Sequence, residues 1–344
     1  MSLHSLSMFK IGFVFLLGTL ISGCQPAESP KIVNEHVESR AVKKPAVDLT
    51  EMCQNIEKDM ANINDQRTTF ALEEINQNLK VCLPLLDHDQ QHQLMHLSTK
   101  MYQRFLTVER DHEQQLAFEH YALEMAQHPT IQQSHFQTLN SRDQYLLKHK
   151  GQAYVELIDL GEQQLNYRRS PDYLARIFAP YLPKSERVFI EMLAQQNHEP
   201  ILQNGRLLIS PQEMMTRALF WQEYLHLYPN SYFKTDAQFL MQQYRYYLFF
   251  GTAKSRVSET YLDRLAMPVD TLEAIEQLAK MPASTLSNQA KQYLQFLEMT
   301  PEQKAAIQTD HEQSSLEQKL VSYTNSYAPK HPQNKNCFRD AVCI

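Results

Sequence analysis

The fold is decided by residues 53–82, CQNIEKDMANINDQRTTFALEEINQNLKVC. Apolar residues recur in each half at steps of three or four, which places them on one face of an α-helix. The two series are Cys53, Ile56, Met60 and Ile63, followed by Leu72, Ile75, Leu79 and Cys82. The polar segment NDQRTT, residues 64–69, interrupts the pattern between them. The stretch therefore predicts two antiparallel helices, with one cysteine at the open end of each.

The composition extends this helical interpretation to most of the chain. Only 7 of the 344 residues are glycine, and Gly12, Gly18 and Gly23 belong to the apolar N-terminal region. Glutamine, leucine, glutamate, methionine and alanine, all good helix formers, dominate the remainder. We therefore expect an all-α fold, built as a helical bundle or an irregular α-solenoid of antiparallel helix pairs.

Capping signals predict where several helices begin and end. Ser210 offers an N-cap, Pro211 suits the first helical position, and Glu213 completes a capping pattern. Related starts occur at residues 170–172, 270–273 and 300–303, and stops at residues 228–230, Gly251 and residues 281–282. The helical body is expected over 48–326, with a division into two sub-bundles near 200–210 as one arrangement. Residues 201–209 allow either a small β-hairpin turning at Asn204-Gly205 or a loop between helices.

The N-terminal region has the features of an export signal. Lys10 precedes the apolar run of residues 11–21, which is too short to cross a bilayer comfortably as a helix. The run ends in Ile21-Ser22-Gly23-Cys24, which resembles the lipobox of bacterial lipoprotein precursors. The resemblance implies that residues 1–23 are a cleaved signal peptide and that Cys24 is acylated. The alternative is an ordinary signal peptide with a chance cysteine.

The same resemblance implies a location. Gln25, rather than aspartate, follows the cysteine, and by the family's sorting pattern this favours the outer membrane. The lipid bilayer would then be a partner through Cys24, with the body in the periplasm. Residues 24–47 contain three prolines and no sustained hydrophobic period, so we predict a flexible tether.

Four cysteines remain once Cys24 is assigned to lipid, and an even number in an exported chain favours disulfides. The helix pair predicts a bridge between Cys53 and Cys82, with two buried free thiols as the alternative. Cys337 and Cys343 would close a small loop in the tail, residues 327–344.

The charge excludes one class of partner. The net charge is −6, so the chain lacks the basic surface that nucleic-acid binding requires. We interpret Arg168-Arg169 as solvated surface rather than as a site for a polyanion.

A histidine series is the strongest candidate for metal. His88, His92 and His96 lie at steps of four, and two such imidazoles can share a zinc ion. A complete site needs further ligands, such as Asp89. We favour a hydrated polar helix face, and we expect no cofactor and no stoichiometric metal.

Catalytic signatures are weak. The sequence has no Gly-x-Ser-x-Gly and no glycine-rich phosphate loop. A carboxylate pair with one acid kept neutral by burial could cleave peptidoglycan, and Glu191 and Glu223 are examples. We expect a non-catalytic protein, with a peptidoglycan hydrolase as the first alternative and a periplasmic metal-binding protein as the second.

Aromatic residues are concentrated at residues 220–250, which include the only tryptophan. The segment FWQEYLHLYPNSYFKTDAQFLMQQY, residues 220–244, resembles a tetratricopeptide-like pattern of helical outer-membrane-assembly lipoproteins, although no fixed repeat recurs along the chain. We predict that some of these rings reach the surface and bind an envelope protein, the alternative being that they pack in the core. The candidates are Trp221, Tyr224, Tyr228 and Tyr247. The expected function is an anchored binding or scaffold protein.

Overall fold

The computed structural model describes residues 49–127, 134–161, 165–309, 314–330 and Phe338. The predicted signal peptide (1–23), the tether with Cys24 (24–47), Cys337 and Cys343 lie outside the described residues. Within the described part, the chain forms thirteen α-helices and three antiparallel two-stranded sheets, which confirms the all-α prediction. No described helix is both long enough and apolar enough to cross a membrane.

The elements follow one another along the chain with short connections. The helices are α1 (Leu49–Ala61), α2 (Thr69–Cys82), α3 (His88–Phe105), α4 (His112–Gln127), α5 (Ser141–Lys148), α6 (Asp172–Ile177), α7 (Lys184–Gln196), α8 (Pro211–Leu227), α9 (Lys234–Phe250), α10 (Val269–Lys280), α11 (Thr285–Glu298), α12 (Pro301–Ala305) and α13 (Leu316–Thr324). The strands are β1 (Val155–Asp159), β2 (Leu165–Arg169), β3 (Leu202–Gln203), β4 (Arg206–Leu207), β5 (Gly251–Thr252) and β6 (Ser255–Arg256).

Helices α1 and α2 form the predicted hairpin. Their facing residues Ile56, Met60, Leu72 and Leu79 are buried, as the periodicity requires. A disulfide joins Cys53 to Cys82, whose Cα atoms are 5.5 Å apart. The structure therefore confirms both the helix pair and its covalent closure.

The capping signals predicted most of the helix boundaries tested. The Ser210 side chain accepts a hydrogen bond from the Glu213 backbone N–H, and Thr300 caps α12 in the same way. Helix α10 starts at Val269, earlier than predicted, because the N-cap is Pro268. Asp270 instead lies in the first turn, where its carboxylate faces the positive end of the helix dipole.

The segment near 201–209 forms the hairpin rather than the loop. Strands β3 and β4 pair Leu202 with Leu207. The turn places Asn204 at φ 53° and Gly205 at φ 73°. Two consecutive positive φ angles are what a tight hairpin turn needs, and asparagine and glycine adopt them most readily.

A larger hairpin was not predicted. Strands β1 and β2 pair in antiparallel register from Val155 opposite Arg169. The interpretation of Arg168-Arg169 as solvated surface is wrong, because both side chains are buried. Arg168 binds the Glu156 carboxylate at 3.0 Å, and the Arg169 guanidinium lies 4.7 Å from the centre of the Tyr173 ring. Internal partners thus replace water around both cations.

Candidate interaction surface

The predicted aromatic patch is mostly core. Trp221 is fully buried, Tyr224 is 2% exposed and Tyr247 is 9% exposed, so the prediction that they reach the surface is wrong for these three residues. Trp221 Nε1 donates to Gln196 Oε1 at 3.1 Å. Tyr228 is half-buried, with its ring centre 5.2 Å from that of Tyr224.

Backbone carbonyls explain why so many tyrosines can be buried. The Tyr224 hydroxyl donates to the Ser185 carbonyl oxygen at 3.0 Å. At the end of α9, the Tyr293 hydroxyl donates to the carbonyl oxygen of Phe249 at 3.0 Å, and the Tyr261 hydroxyl to that of Phe250 at 3.3 Å. The last carbonyls of a helix have no partner within the helix. The hydroxyls therefore satisfy them, and burial of the rings leaves no polar atom of these pairs unbound.

The histidine series does not converge on a common centre. His92 Nε2 lies 2.7 Å from Glu186 Oε2, and its ring stacks on Tyr232 with 3.9 Å between centres. His88 and His96 are exposed on the same helix. Across the described ranges, no three metal-ligating side chains are grouped as a metal site would require. The contacts of His92 join α3 to α7 and to the turn before α9.

The carboxylates named for catalysis lie on the surface. Glu191 and Glu223 are both exposed, so neither lies in the buried environment that the hydrolase alternative requires. The buried carboxylate of Asp143 is instead bound by the Arg110 guanidinium at 2.7 and 2.8 Å. It also accepts a hydrogen bond from the Tyr167 hydroxyl at 2.8 Å. Burial and the Asp143 charge together raise the pKa of Tyr167.

A polar cleft beside the β1–β2 hairpin also brings carboxylates together. It is about 340 Å³ in volume, and Glu73, Glu156 and Asp172 are among the residues that line it. Asp172 binds Arg176 at 2.9 Å, and Glu156 binds Arg168 at 3.0 Å. Two of the three carboxylates that line the cleft are thus bound by guanidinium groups.

The most exposed large apolar side chain of the described part is Leu265, at 95%. It lies in a segment that we call the leucine turn, residues 262–269. Leu262 and Val269 are 51% and 69% exposed, and Pro268 is exposed as well. Single exposed apolar residues are ordinary, but several within eight residues form a candidate contact patch.

Polar contacts hold the leucine turn in one conformation. The Asp263 carboxylate accepts hydrogen bonds from the backbone N–H groups of Leu265 at 2.9 Å and Ala266 at 3.1 Å. The Arg264 guanidinium binds the carboxylates of Glu276 on α10 and Glu298 on α11.

Lys304 of α12 adds a further contact. Its ammonium group donates a hydrogen bond to the carbonyl oxygen of Leu262. The side chain is 3% exposed, and burial lowers its pKa. Together with the contacts of Arg264, this bond connects the turn to α10, α11 and α12.

Buried residues anchor the turn at both sides. Tyr261 precedes it and is 1% exposed, with its backbone N–H donating to Ser258 Oγ at 3.0 Å. Met267 lies within the turn and is 7% exposed, and its Sδ lies 3.4 Å from the hydroxyl oxygen of Tyr293. The outward direction of Leu265 is therefore built into the fold, because the chain on each side of it is fixed in the core.

Sequence reasoning missed this surface. Leu262, Leu265 and Val269 are spaced by three and four residues, a pattern that normally indicates the buried face of a helix. The chain instead forms a single 3₁₀ turn, Arg264–Ala266, before Pro268 and the start of α10. The proline and the aspartate at residue 263 were the available signals of a turn.

No family model, curated protein or solved structure matches the chain. The leucine turn therefore has to be interpreted from its own geometry. That geometry combines an almost fully exposed leucine, a backbone held by the Asp263 and Lys304 side chains, and a border of carboxylates. Such an arrangement suits contact with another molecule.

Proposed function

We propose that the chain is a membrane-anchored, non-catalytic binding or scaffold lipoprotein, and that the leucine turn is where it docks onto a protein of the cell envelope. The observation that carries the proposal is the exposure of Leu265, at 95%, on a turn fixed by Asp263, Arg264 and Lys304.

The leucine turn is preorganised for binding, because its backbone is already fixed in the free protein. Ordering one residue of backbone costs about 1–2 kcal/mol, and a segment that is already ordered does not lose this on binding. Burying a leucine or valine side chain contributes roughly 1.5–3 kcal/mol. Three such side chains on a fixed turn give a small but effective contact, of the kind in which a few residues supply most of the affinity.

The proposed location follows from residues 21–24, Ile-Ser-Gly-Cys, and from the tether after them. Residues 24–47 would separate the lipid on Cys24 from the helical body. The body would then reach partners near the outer membrane while Cys24 stays in the bilayer. Replacing Cys24 by alanine should abolish fatty-acid labelling in cells, and labelling that persists would contradict the anchor.

Docking is tested by comparing two exposed leucines. Intact cells carrying the full chain are crosslinked chemically, the chain is isolated, and captured proteins are identified by mass. Leu265→Asp should remove a specific captured protein, whereas Leu227→Asp, at a position 58% exposed at the end of α8, should retain it. Equal capture by both variants, with unchanged melting temperatures, would contradict the proposal.

The hydrolase alternative has its own direct test. Purified full-length chain is incubated with isolated peptidoglycan, and soluble fragments are measured. The proposal expects no release above that from heated protein. Release that disappears on a single carboxylate-to-amide substitution in the polar cleft would establish the hydrolase instead.

A further inference from the structure

We infer that the partner docks on the leucine turn with an apolar pocket bordered by lysine or arginine side chains. The inference rests on the proposed function, because it specifies the chemistry of the partner at the same surface.

The apolar part of the contact is a projecting knob. Leu265 is 95% exposed and lies between Leu262 and Val269, which are 51% and 69% exposed. The 3₁₀ turn Arg264–Ala266 carries Leu265 away from the buried Tyr261 and Met267. A convex, apolar and fixed feature is complementary to a concave apolar pocket, rather than to a flat polar surface.

The surroundings of the knob are acidic. Residues 259–276 contain five carboxylates and one guanidinium, and the charged side chains bound to this segment are Glu298, Arg256 and Lys304, which together gives a net charge of −3. Arg264 is bound by Glu276 and Glu298, and the Glu298 contact is the main cause of its raised pKa. Asp270 and Glu273 are exposed and form no ion pair with any residue that the structure describes.

These charges favour a basic protein over a lipid surface. Elements that insert into membrane interfaces usually combine apolar residues with lysine and arginine, because the lipid surface is anionic. Here the apolar residues are bordered by carboxylates, which an anionic surface would repel. A pocket with a cationic border would bury the apolar knob and would also attract the carboxylates around it.

The test places a photoreactive amino acid at residue 265 of the full chain and irradiates intact cells. We expect an adduct with a protein. In the background Asp270→Lys/Glu273→Lys, the yield of that adduct should fall roughly fivefold, since two attractive contacts become repulsive. The control Glu191→Lys/Glu223→Lys reverses two exposed carboxylates on α7 and α8 and should leave the yield unchanged.

One further variant guards against a folding artefact. Asp270 lies in the first turn of α10, where lysine is unfavourable, so Glu273→Lys is also tested alone, with the melting temperature of each variant. If the adduct yield is unchanged or increased in the double variant and also in Glu273→Lys alone, the basic pocket is overturned while the docking proposal stands. Lipid adducts, or no adducts at residue 265, would overturn the docking proposal itself.

Discussion

The ammonium of Lys304 donates a hydrogen bond to the carbonyl oxygen of Leu262, 42 residues earlier in the chain. A lysine that is 3% exposed is uncommon, since burial removes water from its charge. The bond joins α12 to the first residue of the leucine turn. In our account, this buried cation maintains the conformation that exposes Leu265.

The first prediction follows from that bond. Lys304→Met keeps much of the aliphatic volume and removes the donor, so the turn should gain freedom. Capture of the partner should fall roughly fivefold, about 1 kcal/mol of binding free energy, while the free energy of unfolding changes by no more than about 1 kcal/mol. Crosslinking yield in cells and urea unfolding of the purified chain measure the two quantities.

Lys319→Met is the matched control. Lys319 also donates to backbone carbonyl oxygens, those of Lys304 at 3.1 Å and Ala305 at 2.9 Å, but within the described part of the chain it forms no hydrogen bond or ion pair with the leucine turn. It should leave capture unchanged. If the Lys304 variant captures the partner as well as the wild type does, conformational restraint of the turn has no role in docking.

The second prediction concerns the end of α9. Gly251 has φ 75°, and a Cβ added there would lie 1.9 Å from the carbonyl oxygen of Ser255. Gly251→Ala should destabilise the fold by about 3 kcal/mol or more, because both the positive φ and the backbone clash are unfavourable. Gly151 is the control, since it has φ 89° with no heavy atom within 4 Å of the added Cβ.

Gly151→Ala should lower the free energy of unfolding by about 1 kcal/mol, the effect of φ alone. Denaturant unfolding followed by circular dichroism measures both variants. If both variants lose the same free energy of unfolding, the positive φ alone requires glycine at residue 251, and the close approach of β6 does not contribute.

The third prediction concerns the bridge between α1 and α2. The disulfide closes a loop with a sequence separation of 29, for which the chain-entropy relation gives about 3–4 kcal/mol. The double variant Cys53→Ser/Cys82→Ser should unfold at correspondingly lower denaturant. Reductant should destabilise the wild type by about this amount and the double variant much less, since only a bridge in the tail, such as that expected between Cys337 and Cys343, is left to be reduced. A wild type indifferent to reductant, with both thiols free by mass, would contradict the bridge.

The helix pair shows how far sequence reasoning could go. Residues 53–82 carry a complete periodic pattern, a polar break and a cysteine at each end, so local information determines the structure there. The start of α8 was similarly accessible, because Ser210, Pro211 and Glu213 lie next to one another in sequence.

The remaining features depend on partners that are distant in sequence. Arg169 is buried because Ser98 and Thr99, about 70 residues away, accept its hydrogen bonds at 3.1 and 3.3 Å. The rings of Tyr224 and Tyr293 are buried because carbonyls of other helices accept from their hydroxyls. The exposure of Leu265 is equally nonlocal. The pattern around it is that of a buried helix, and the contacts of Arg264 and Lys304 with distant residues, together with the buried Tyr261 and Met267, hold it outside the core.

The fourth prediction is a loss of stability at alkaline pH. Burial raises the pKa of Tyr224 and of Tyr247 to about 12, against about 10 in the unfolded chain. The two phenols contribute fully to the free energy of unfolding below pH 10. This contribution is lost as the pH rises through 12, because the tyrosines of the unfolded chain ionise first. Burial also lowers the pKa of Arg245, to about 10, and those of Arg142 and Lys304, and these cations act in the opposite direction. The tyrosines with raised pKa outnumber them.

Urea unfolding between pH 9 and 11.5 measures this loss. Tyr247→Phe removes one of the groups and should reduce the slope of unfolding free energy against pH by at most about 1.4 kcal/mol per pH unit. A stability that is independent of pH over this range, or a slope unchanged by the variant, would show that the phenols ionise equally in both states.

Docking of the leucine turn onto an envelope protein is measured by the oxidation of Leu265 by hydroxyl radicals, quantified by mass spectrometry. The reaction is compared between purified full-length chain and intact cells. Leu265 is 95% exposed and Leu227 is 58% exposed, so both should react in the purified protein. If the leucine turn docks onto an envelope protein, Leu265 and Val269 should be protected severalfold in cells, while Leu227 reacts as before. Equal oxidation of Leu265 in the two preparations, relative to Leu227, would contradict the account.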